Sequence, residues 1–410
     1  MPPPRSQTTD PSTPPPAAMI AESAQRFEDL EAQAQRLLAT FTRAGYEHVA
    51  PSIIQPANMF LDVVGESLRA RTYVFSDPDG DELCLRPDLT VPTCRLHLAR
   101  HPQGAVPARY CYNGSAFRYQ QGGDTNAHPR EFRQAGIESF AAADREQADA
   151  EVLALIVEAV RDAGIASFRL RFGDLGLFRA LLGALSLPER WRRRLQHQFW
   201  RPDAFRAELN RLSSAEALRA PARKAEVIDR LNPEQPAGAL NEVENYLERA
   251  GLTLLGTRTL PEITERLLAA AADARETPLP ATTANAIESY VAVKAPARAA
   301  VRELSRLLRG HRIDLSEPLQ AFQRRLDDLD AAGVITDDAE FSAEFGRNLE
   351  YYTGFVFEIV VPELGPKSPL AGGGRYDSLL AEVRAPVAVP AVGSCIHTER
   401  LLALLQGTAA

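Results

Sequence analysis

Hydrophobic residues recur at helical spacing near the start of the chain. In residues 20–44 the apolar positions include Phe27, Leu30 and Phe41, with polar residues between them. This spacing predicts an amphipathic helix that buries one face. Gly45 follows at a position that is typical of a helix end.

Other segments carry the apolar pattern of strands. Residues 72–86 predict two strands around a turn, and residues 107–119 and 130–140 predict a pair joined by a polar, glycine-containing loop. A helix with an acidic first turn is predicted within 142–165, and strand character returns in 352–361. This order of elements predicts an α+β fold, in which a helical insertion interrupts an antiparallel sheet flanked by helices.

The length of the chain, 410 residues, favours two domains or one domain with an insertion. Residues 176–284 have a mostly helical pattern, are rich in arginine and alanine, and contain prolines at the breaks. We therefore expect a core formed from 19–175 and 285–410, with 176–284 as a helical insertion. Residues 1–18 are rich in proline, serine and threonine, which predicts a disordered tail.

Composition narrows the class of protein. The formal net charge is −8, whereas dedicated RNA-binding proteins carry a positive field, so composition argues against nucleic acid as a partner. The four cysteines form no C-x-x-C pair, which is typical of a reducing compartment. No apolar run approaches about 18 residues, and the N-terminus lacks the apolar core of a signal peptide. We therefore expect no membrane segment and a cytoplasmic protein.

Two oxygen-bearing side chains stand at a predicted helix start in the stretch LRPDLT, residues 85–90. Asp88 and Thr90 are suited to cap the helix. The same carboxylate and hydroxyl are also suited to hold an ammonium group of a ligand. The stretch alone leaves both interpretations open.

Polar residues also mark the predicted strand pair. Arg118 ends the first strand, and alternation places Gln134, Gly136 and Glu138 on one face of the second strand. Such a face is usually solvated. In the other interpretation, Gly136 lets a ligand approach the backbone between the two polar side chains.

The segment FGRNLEYYTGFVFEIVV, residues 345–361, joins a polar half to a strongly strand-prone half. The polar half contains Arg347, Tyr351 and Tyr352 and has the composition of a pocket wall. The three glycines at 372–374 predict either a plain loop or a close approach to a ligand. The phosphate-binding pattern G-x-x-x-x-G-K-[ST] is missing from the sequence.

Two further groupings carry weaker signals. His97 and His101 are one helical turn apart, but no third ligand accompanies them, so we expect no metal. Residues 190–224 mix arginines with aromatic residues, which is typical of an interface that docks a partner. The same stretch equally predicts an amphipathic helix that packs its aromatic side chains inward.

Taken in order, these stretches resemble known signatures. GYEHVAP, FRYQ with REFRQAGIE, and VGSCIHTERL are similar to the three motifs of class II aminoacyl-tRNA synthetases. LRPDLT, RNLEYYTGFVFE and GGGRYDSL resemble the histidine-recognising segments of histidyl-tRNA synthetase. The resemblance covers residues 20–175 and 285–406.

The resemblance implies roles for the matching residues. Pro51 matches the dimer-interface proline of the first motif, and Arg400 matches the arginine that meets the γ-phosphate of ATP. The residues that match the histidine-binding set are Asp88, Thr90, Arg118, Gln134, Glu138, Arg347, Tyr351 and Tyr352. In that set, Asp88 and Thr90 match the pair at the α-amino group. Tyr351 and Tyr352 match the contacts to the imidazole, and Arg347 matches a catalytic residue.

The sequence departs from the synthetase pattern on the ATP side. Gln120 stands where the second motif has an acid, and His128 stands near the place of an arginine that faces the phosphates. His397 replaces a glycine that leaves room for the nucleotide. The synthetases also continue into an anticodon-binding domain, which we do not expect here because the sequence ends at Ala410.

A histidine site combined with an altered ATP side resembles the regulatory subunits of short-form ATP phosphoribosyltransferase, which have no catalytic activity of their own. The resemblance implies a role in histidine biosynthesis, L-histidine as allosteric effector, and no cofactor. It also implies a short-form catalytic subunit as partner in a hetero-octamer, and a dimer formed through the first motif. Two alternatives stay open: a histidyl-tRNA synthetase-like enzyme that activates histidine with ATP, and a stand-alone amino-acid adenylating enzyme.

Overall fold

The computed structural model describes residues 23–61, 66–120, 129–219, 222–252, 259–346 and 351–407. The predicted disordered tail at 1–18 lies outside the described residues. The chain divides into two compact units. The first unit runs to Leu177 and includes Lys294–Glu303 and the chain from Ser316, and the second contains Phe178–Val293 and Leu304–Leu315. The predicted insertion, 176–284, therefore lies in the second unit from Phe178 onward.

The described residues form strands of two to ten residues. They are β1 (Glu47–His48), β2 (Ile54–Pro56), β3 (Val74–Ser76), β4 (Glu82–Leu85), β5 (Ala108–Phe117), β6 (Glu131–Phe140), β7 (Arg169–Asp174), β8 (Lys294–Pro296), β9 (Glu340–Ser342), β10 (Phe355–Val360), β11 (Ala371–Arg375) and β12 (Ala391–His397).

The helices have the following bounds. They are α1 (Ala24–Arg43), α2 (Ala57–Leu61), α3 (Glu66–Arg69), α4 (Thr90–Arg100), α5 (Arg145–Asp162), α6 (Leu175–Ala184), α7 (Glu189–Gln198), α8 (Pro202–Leu212), α9 (Ala215–Leu218), α10 (Ala222–Arg230), α11 (Ala239–Arg249), α12 (Leu260–Ala274), α13 (Ala281–Val291), α14 (Ala297–Gly310), α15 (Ser316–Ala331), α16 (Leu379–Glu382) and α17 (Thr398–Leu405). In the described part of the chain, none of them is both long and apolar enough to cross a bilayer.

The larger sheet in the described residues has nine strands in the order β1-β5-β6-β12-β11-β10-β7-β9-β8. Neighbouring strands are antiparallel except for β1 with β5 and β7 with β9, which are parallel. A second, antiparallel sheet has the order β2-β4-β3. The predicted α+β fold with an antiparallel sheet is confirmed at the centre of the larger sheet, and the parallel pairs lie towards its edges.

The first predicted helix is confirmed as α1, and its ends follow from local chemistry. Ser23 Oγ accepts the Arg26 N–H at 3.2 Å and so satisfies one of the unpaired amides of the first turn. Leu30 and Phe41 on its inner face are fully buried. The chain leaves the helix at Gly45, whose φ of +85° is a conformation that glycine adopts without strain.

Glycines set the packing at the centre of the larger sheet. The loop predicted at 372–374 is wrong, because these residues belong to β11, which is buried throughout. A Cβ at Gly373 would overlap Gly393 and Ser394 on β12, so the glycine permits close strand packing. Gly136 plays the same part on β6, where a Cβ would meet the Tyr112 hydroxyl at 2.7 Å. A protein side chain thus occupies the space that one of the two interpretations of this face gave to a ligand.

The second unit packs its aromatic residues inward. Trp191 is buried, and the rings of Phe178 and Phe199 stack with centroids 4.2 Å apart. The Trp191 indole N–H and the Arg190 Nε both donate to the buried Asp273 carboxylate, at 2.7 Å and 2.8 Å. The inward-packing interpretation of the arginine-rich stretch is therefore confirmed for these residues, and they do not offer a docking surface.

Candidate functional site

A cavity of about 290 Å³ opens in the first unit, at the lower end of the size range of small-molecule pockets. It is bounded by the start of α4, the end of β5, the strands β6, β11 and β12, and the segment just before β10. Six of the predicted histidine-binding residues line it: Asp88, Thr90, Arg118, Gln134, Tyr351 and Tyr352. These residues are distant in sequence, and the fold brings them to one place.

Of the two remaining predicted residues, the structure describes only Glu138, and this residue does not line the cavity. Glu138 is fully buried and lies directly behind Gly393, which does line the cavity. Arg347 lies outside the described residues. The expected catalytic arginine therefore stays a sequence-based prediction.

Asp88 contacts the start of α4 and faces the cavity at the same time. Its Oδ1 accepts the Val91 N–H of the first turn at 3.2 Å, although Leu89 is the N-cap residue. The capping interpretation is therefore confirmed for this one bond, and Thr90 belongs to the helix itself.

The other carboxylate oxygen of Asp88, Oδ2, is buried and has no donor at hydrogen-bond geometry among the described residues. Burial raises the pKa of this carboxyl, and the positive charge of Arg118 and the nearby Tyr351 hydroxyl oppose the rise. A buried acceptor of this kind is costly unless a ligand supplies the missing donor.

Gln134 offers a second acceptor. Its amide Nε2 donates to Cys395 Sγ at 3.2 Å, and its Oε1 is buried without a donor in the part of the chain that the structure describes. Gln134 is only 3% exposed, so the interpretation of this strand face as solvated is wrong. The cavity therefore presents two oxygen acceptors, one from α4 and one from β6.

Arg118 supplies a positive charge to the same cavity. Its Nε donates to the Pro87 carbonyl at 2.8 Å, and its guanidinium lies over the Phe132 ring, 4.9 Å from the centroid. These two contacts orient the planar guanidinium. Such a group is suited to bind a carboxylate.

Glu138 belongs to a buried hydroxyl cluster behind the cavity. Its Oε1 accepts the Tyr112 hydroxyl at 2.9 Å, and its Oε2 accepts the Tyr376 hydroxyl. Burial raises the pKa of Glu138 to about 7, although hydrogen bonds from Tyr376, Thr90 and Tyr112 oppose the rise. Thr90 lines the cavity, so its hydroxyl links the cavity to this cluster.

The two adjacent tyrosines form one wall. Tyr351 and Tyr352 are 3% and 5% exposed, and their ring centroids are 4.9 Å apart. Tyr376 meets Tyr351 edge to face at 5.7 Å. The three rings pack against one another, and burial raises the pKa of the Tyr351 hydroxyl. This wall is apolar in its surface and has hydroxyl groups at its edge.

The end of the cavity where the sequence departs from the synthetase pattern is occupied by polar contacts. Gln120 accepts from Arg71 Nη2 at 2.7 Å and donates to the Pro129 carbonyl at 3.1 Å. The His397 ring lies 5.7 Å from the Phe132 ring. Both Gln120 and His397 line the cavity, whereas His128 lies outside the described residues.

Arg400 also lines the cavity at this end, and its Nη1 donates to the Pro369 carbonyl at 2.6 Å. The sequence analysis did not single out Arg71, Lys367 or Cys395, which are cavity residues too. It also missed the tyrosines that hold Glu138. The strand register would have found Tyr112, because this residue lies directly opposite Gly136.

One member of the histidine pair, His97, has a structural role. Both ring nitrogens of the buried His97 are engaged, Nδ1 with the Tyr110 hydroxyl at 3.2 Å and Nε2 with the Gly104 carbonyl at 2.9 Å. The described residues contain no group of three or more acidic, histidine or cysteine side chains that could hold a metal ion. These contacts account for His97 without a ligand.

Comparison with known proteins places this geometry in a family. The family model for histidyl-tRNA synthetase matches residues 22–253 and 243–401. The ATP phosphoribosyltransferase regulatory subunit of Brucella anthropi is 36% identical over 371 residues, which cover 90% of this chain and 96% of the relative. This chain belongs to that family of regulatory subunits. The regulatory subunit of Brucella canis is also 36% identical, over 87% of this chain and 93% of its own length.

Solved structures support the fold. A protein from Bacillus halodurans C, described as an ATP phosphoribosyltransferase regulatory subunit/histidyl-tRNA synthetase, aligns with a TM-score of 0.65 and 21% identity. The alignment covers 95% of this chain and 82% of that one. A histidine–tRNA ligase subunit from Alicyclobacillus acidocaldarius aligns with a TM-score of 0.58 and 24% identity, over 98% and 100% of the two chains. The predicted class II synthetase-like fold is therefore confirmed.

Proposed function

We propose that this protein is a non-catalytic regulatory subunit of ATP phosphoribosyltransferase and confers feedback inhibition by L-histidine on the first step of histidine biosynthesis. The names of its relatives support the regulatory role. The chemistry of the cavity in the first unit supports histidine as the effector.

The observation that carries the assignment of the effector is the pair of buried acceptors, Asp88 Oδ2 and Gln134 Oε1. An ammonium group provides three N–H donors and a positive charge, which suits a carboxylate and an amide oxygen. Arg118, held over Phe132, is suited to the carboxylate of the same molecule. The cavity therefore offers complementary groups for the two charged ends of an amino acid.

The tyrosine wall supports an imidazole as the side chain of that amino acid. Tyr351 and Tyr352 present aromatic surface and hydroxyls, and an imidazole has an aromatic ring with two nitrogens. Behind the wall, Thr90 leads to Glu138, whose carboxyl titrates near neutral pH. In this proposal Glu138 holds Thr90, which lines the cavity, and does not touch the ligand directly.

The alternative functions require ATP, and the cavity gives less support to them. Gln120 is engaged with Arg71 and Pro129, and the His397 ring lies beside Phe132 at the end where the synthetase motifs hold the nucleotide. These side chains stand in place of the acid and the glycine of the synthetase motifs. We therefore favour histidine sensing over histidine activation.

The proposed partner is the short-form catalytic subunit, in a hetero-octamer that contains dimers of this chain. A self-association surface near Pro51 is supported by the outer face of the sheet β2-β4-β3. On that face Ile54 and Phe75 are 52% and 38% exposed, beside Leu83 and Leu85. Exposed apolar clusters of this kind mark interaction sites. We propose the cytoplasm as the compartment, and neither nucleic acid nor a membrane as a partner.

Two measurements on the full chain test this proposal. Calorimetric titration with L-histidine should give saturable binding with one site per chain, and histidinol, which lacks the carboxylate, should bind more weakly. An assay of histidine-dependent ATP–pyrophosphate exchange should give no signal above background. Robust exchange would contradict the non-catalytic role and favour one of the two ATP-dependent alternatives, and an absence of histidine binding would contradict the proposed effector.

A further inference from the structure

A chain of buried contacts joins the tyrosine wall to helices packed on the sheet. Directly after Tyr351 and Tyr352, the Thr353 N–H donates to the Arg375 carbonyl at 2.7 Å. The Thr353 Oγ1 accepts the Asp377 N–H at 2.9 Å. The wall is therefore fastened at Thr353 to the segment that follows β11.

The guanidinium of Arg375 is held on several sides and is 4% exposed. Its Nη1 donates to Asp377 Oδ1 at 2.8 Å, and its Nη2 donates to the Arg145 carbonyl at 2.7 Å. The same Nη2 lies 2.7 Å from Asp149 Oδ1, an ion pair that does not have the geometry of a hydrogen bond. Asp149 is fully buried on α5, and its Oδ2 accepts from Arg325 Nε on α15 at 2.8 Å.

Burying these charged groups costs free energy, so we ask what the geometry of the network contributes. Buried charges lose their hydration, and a buried ion pair often stabilises a protein no more than apolar residues of the same volume. The hydrogen bonds that Arg375 Nη1 and Nη2 donate set the direction of the planar guanidinium, and the ion pair with Asp149 adds electrostatic attraction to that position. Thr353 is coupled to the position of Arg375 by its hydrogen bonds with the Arg375 carbonyl and the Asp377 N–H.

We propose that Asp149 is a positioning residue for the cavity. It fixes Arg375, and Arg375 together with Thr353 fixes the backbone that carries Tyr351 and Tyr352. Asp149 does not line the cavity, so it acts through these residues and not by contact with a ligand. The identity of the ligand used in the test, L-histidine, rests on the proposed function.

The test compares variants of the full chain by calorimetric titration with L-histidine, at a temperature well below unfolding. Asp149→Asn and Thr353→Val should each weaken binding roughly tenfold, as is typical when the support of a binding group is lost. Thr353→Ser keeps the hydroxyl and should retain the wild-type Kd. Wild-type affinity in both Asp149→Asn and Thr353→Val would overturn the proposal.

Two controls separate positioning from general stability. Val160→Ala truncates another fully buried residue of α5 and should lower the melting temperature without a change in Kd. Glu151 is on the same helix, α5, and forms a partly exposed ion pair with Arg109 on β5. Glu151→Gln removes this pair and should change neither the melting temperature nor the Kd. If Val160→Ala weakened binding as much as Asp149→Asn, Asp149 would have only a structural role, and the proposal would be overturned.

A spectroscopic measurement tests the inference without a ligand. The packed tyrosine rings should give a near-ultraviolet circular dichroism band that Tyr352→Phe alters. Asp149→Asn, or Arg375→Lys if the former does not fold, should alter the same band, whereas Glu151→Gln should not. An unchanged band would overturn the inference. If the wild type did not bind histidine, the proposed function would fail, and this band would still decide the role of Asp149.

Discussion

Replacing Glu138 by glutamine should change how the stability of the first unit depends on pH. Glu138 is fully buried, and the hydroxyls of Tyr112 and Tyr376 donate to its two oxygens. Burial raises its pKa from 4.5 to about 7 in the folded protein. The folded state therefore holds the proton more tightly than the unfolded state does.

The sign and size of the effect follow from this difference in pKa. The stability that Glu138 contributes is fully present below pH 4.5, falls as the pH rises, and is lost above the folded-state pKa of about 7. At about 1.4 kcal/mol per pH unit, the loss amounts to about 3 kcal/mol. Glutamine stays neutral throughout, so its free energy of unfolding has no such loss.

The assay is urea unfolding at pH 5 and pH 8, followed by far-ultraviolet circular dichroism. Both tryptophans, Trp191 and Trp200, lie in the second unit, so fluorescence reports the second unit separately. Transitions seen by circular dichroism but not by fluorescence belong to the first unit. Between pH 5 and pH 8, the free energy of unfolding of Glu138→Gln should gain about 2.5 kcal/mol relative to the wild type, because part of the effect is already lost between pH 4.5 and pH 5.

The measured quantity is the difference in unfolding free energy between Glu138→Gln and the wild type. Groups that titrate in both proteins therefore cancel. Glu151 lies on α5 with a side chain that is 42% exposed, and Glu151→Gln should follow the wild type within about 0.5 kcal/mol at both pH values. Parallel pH curves for Glu138→Gln and the wild type would refute the reasoning, because they would show that Glu138 carries no raised pKa in the folded state.

Three further predictions concern the cavity and the proposed dimer. Asp88→Asn removes the charge that faces the ligand and should weaken histidine binding by about 10- to 100-fold in calorimetry, and an unchanged Kd would exclude Asp88 from the site. Gly393→Ala places a Cβ against Glu138 Oε2 and should cost at least about 2 kcal/mol of unfolding free energy, whereas Gly183→Ala, in open space on α6, should be neutral or slightly stabilising. Ile54→Asp on the exposed apolar face should shift the chain from dimer to monomer in light scattering, and a dimer that persisted would place the interface elsewhere.

Local patterns were sufficient to predict the main elements of the first unit. The helical spacing of Leu30 and Phe41 predicted α1, and the two apolar segments around a polar loop predicted β5 and β6. Alternation placed Gln134 and Glu138 on one face of β6, but it could not show that this face is buried. The burial of that face depends on residues that are distant in sequence, such as Thr90 and Tyr376, which hydrogen-bond to Glu138 from other elements.

The support of the site could not be predicted for the same reason. In the sequence, Asp149 has the pattern of any acidic residue on an amphipathic helix. Its contact with Arg375 joins residues that are separated by more than half of the chain. The glycines at 372–374 were open to two interpretations, neither of which was a buried strand. Glycine-rich sequence is typical of loops, and only the close approach of Gly393 and Ser394 explains why it forms a strand here.

The central claim, that this chain confers histidine inhibition through its cavity, is tested most directly in the reconstituted complex. The measurement is the ATP phosphoribosyltransferase rate of a short-form catalytic subunit mixed with this chain, with and without L-histidine. We predict that the wild-type complex is inhibited by histidine, and that Asp88→Asn supports the same uninhibited rate but requires about 10- to 100-fold more histidine. Equal inhibition of both complexes would contradict the account.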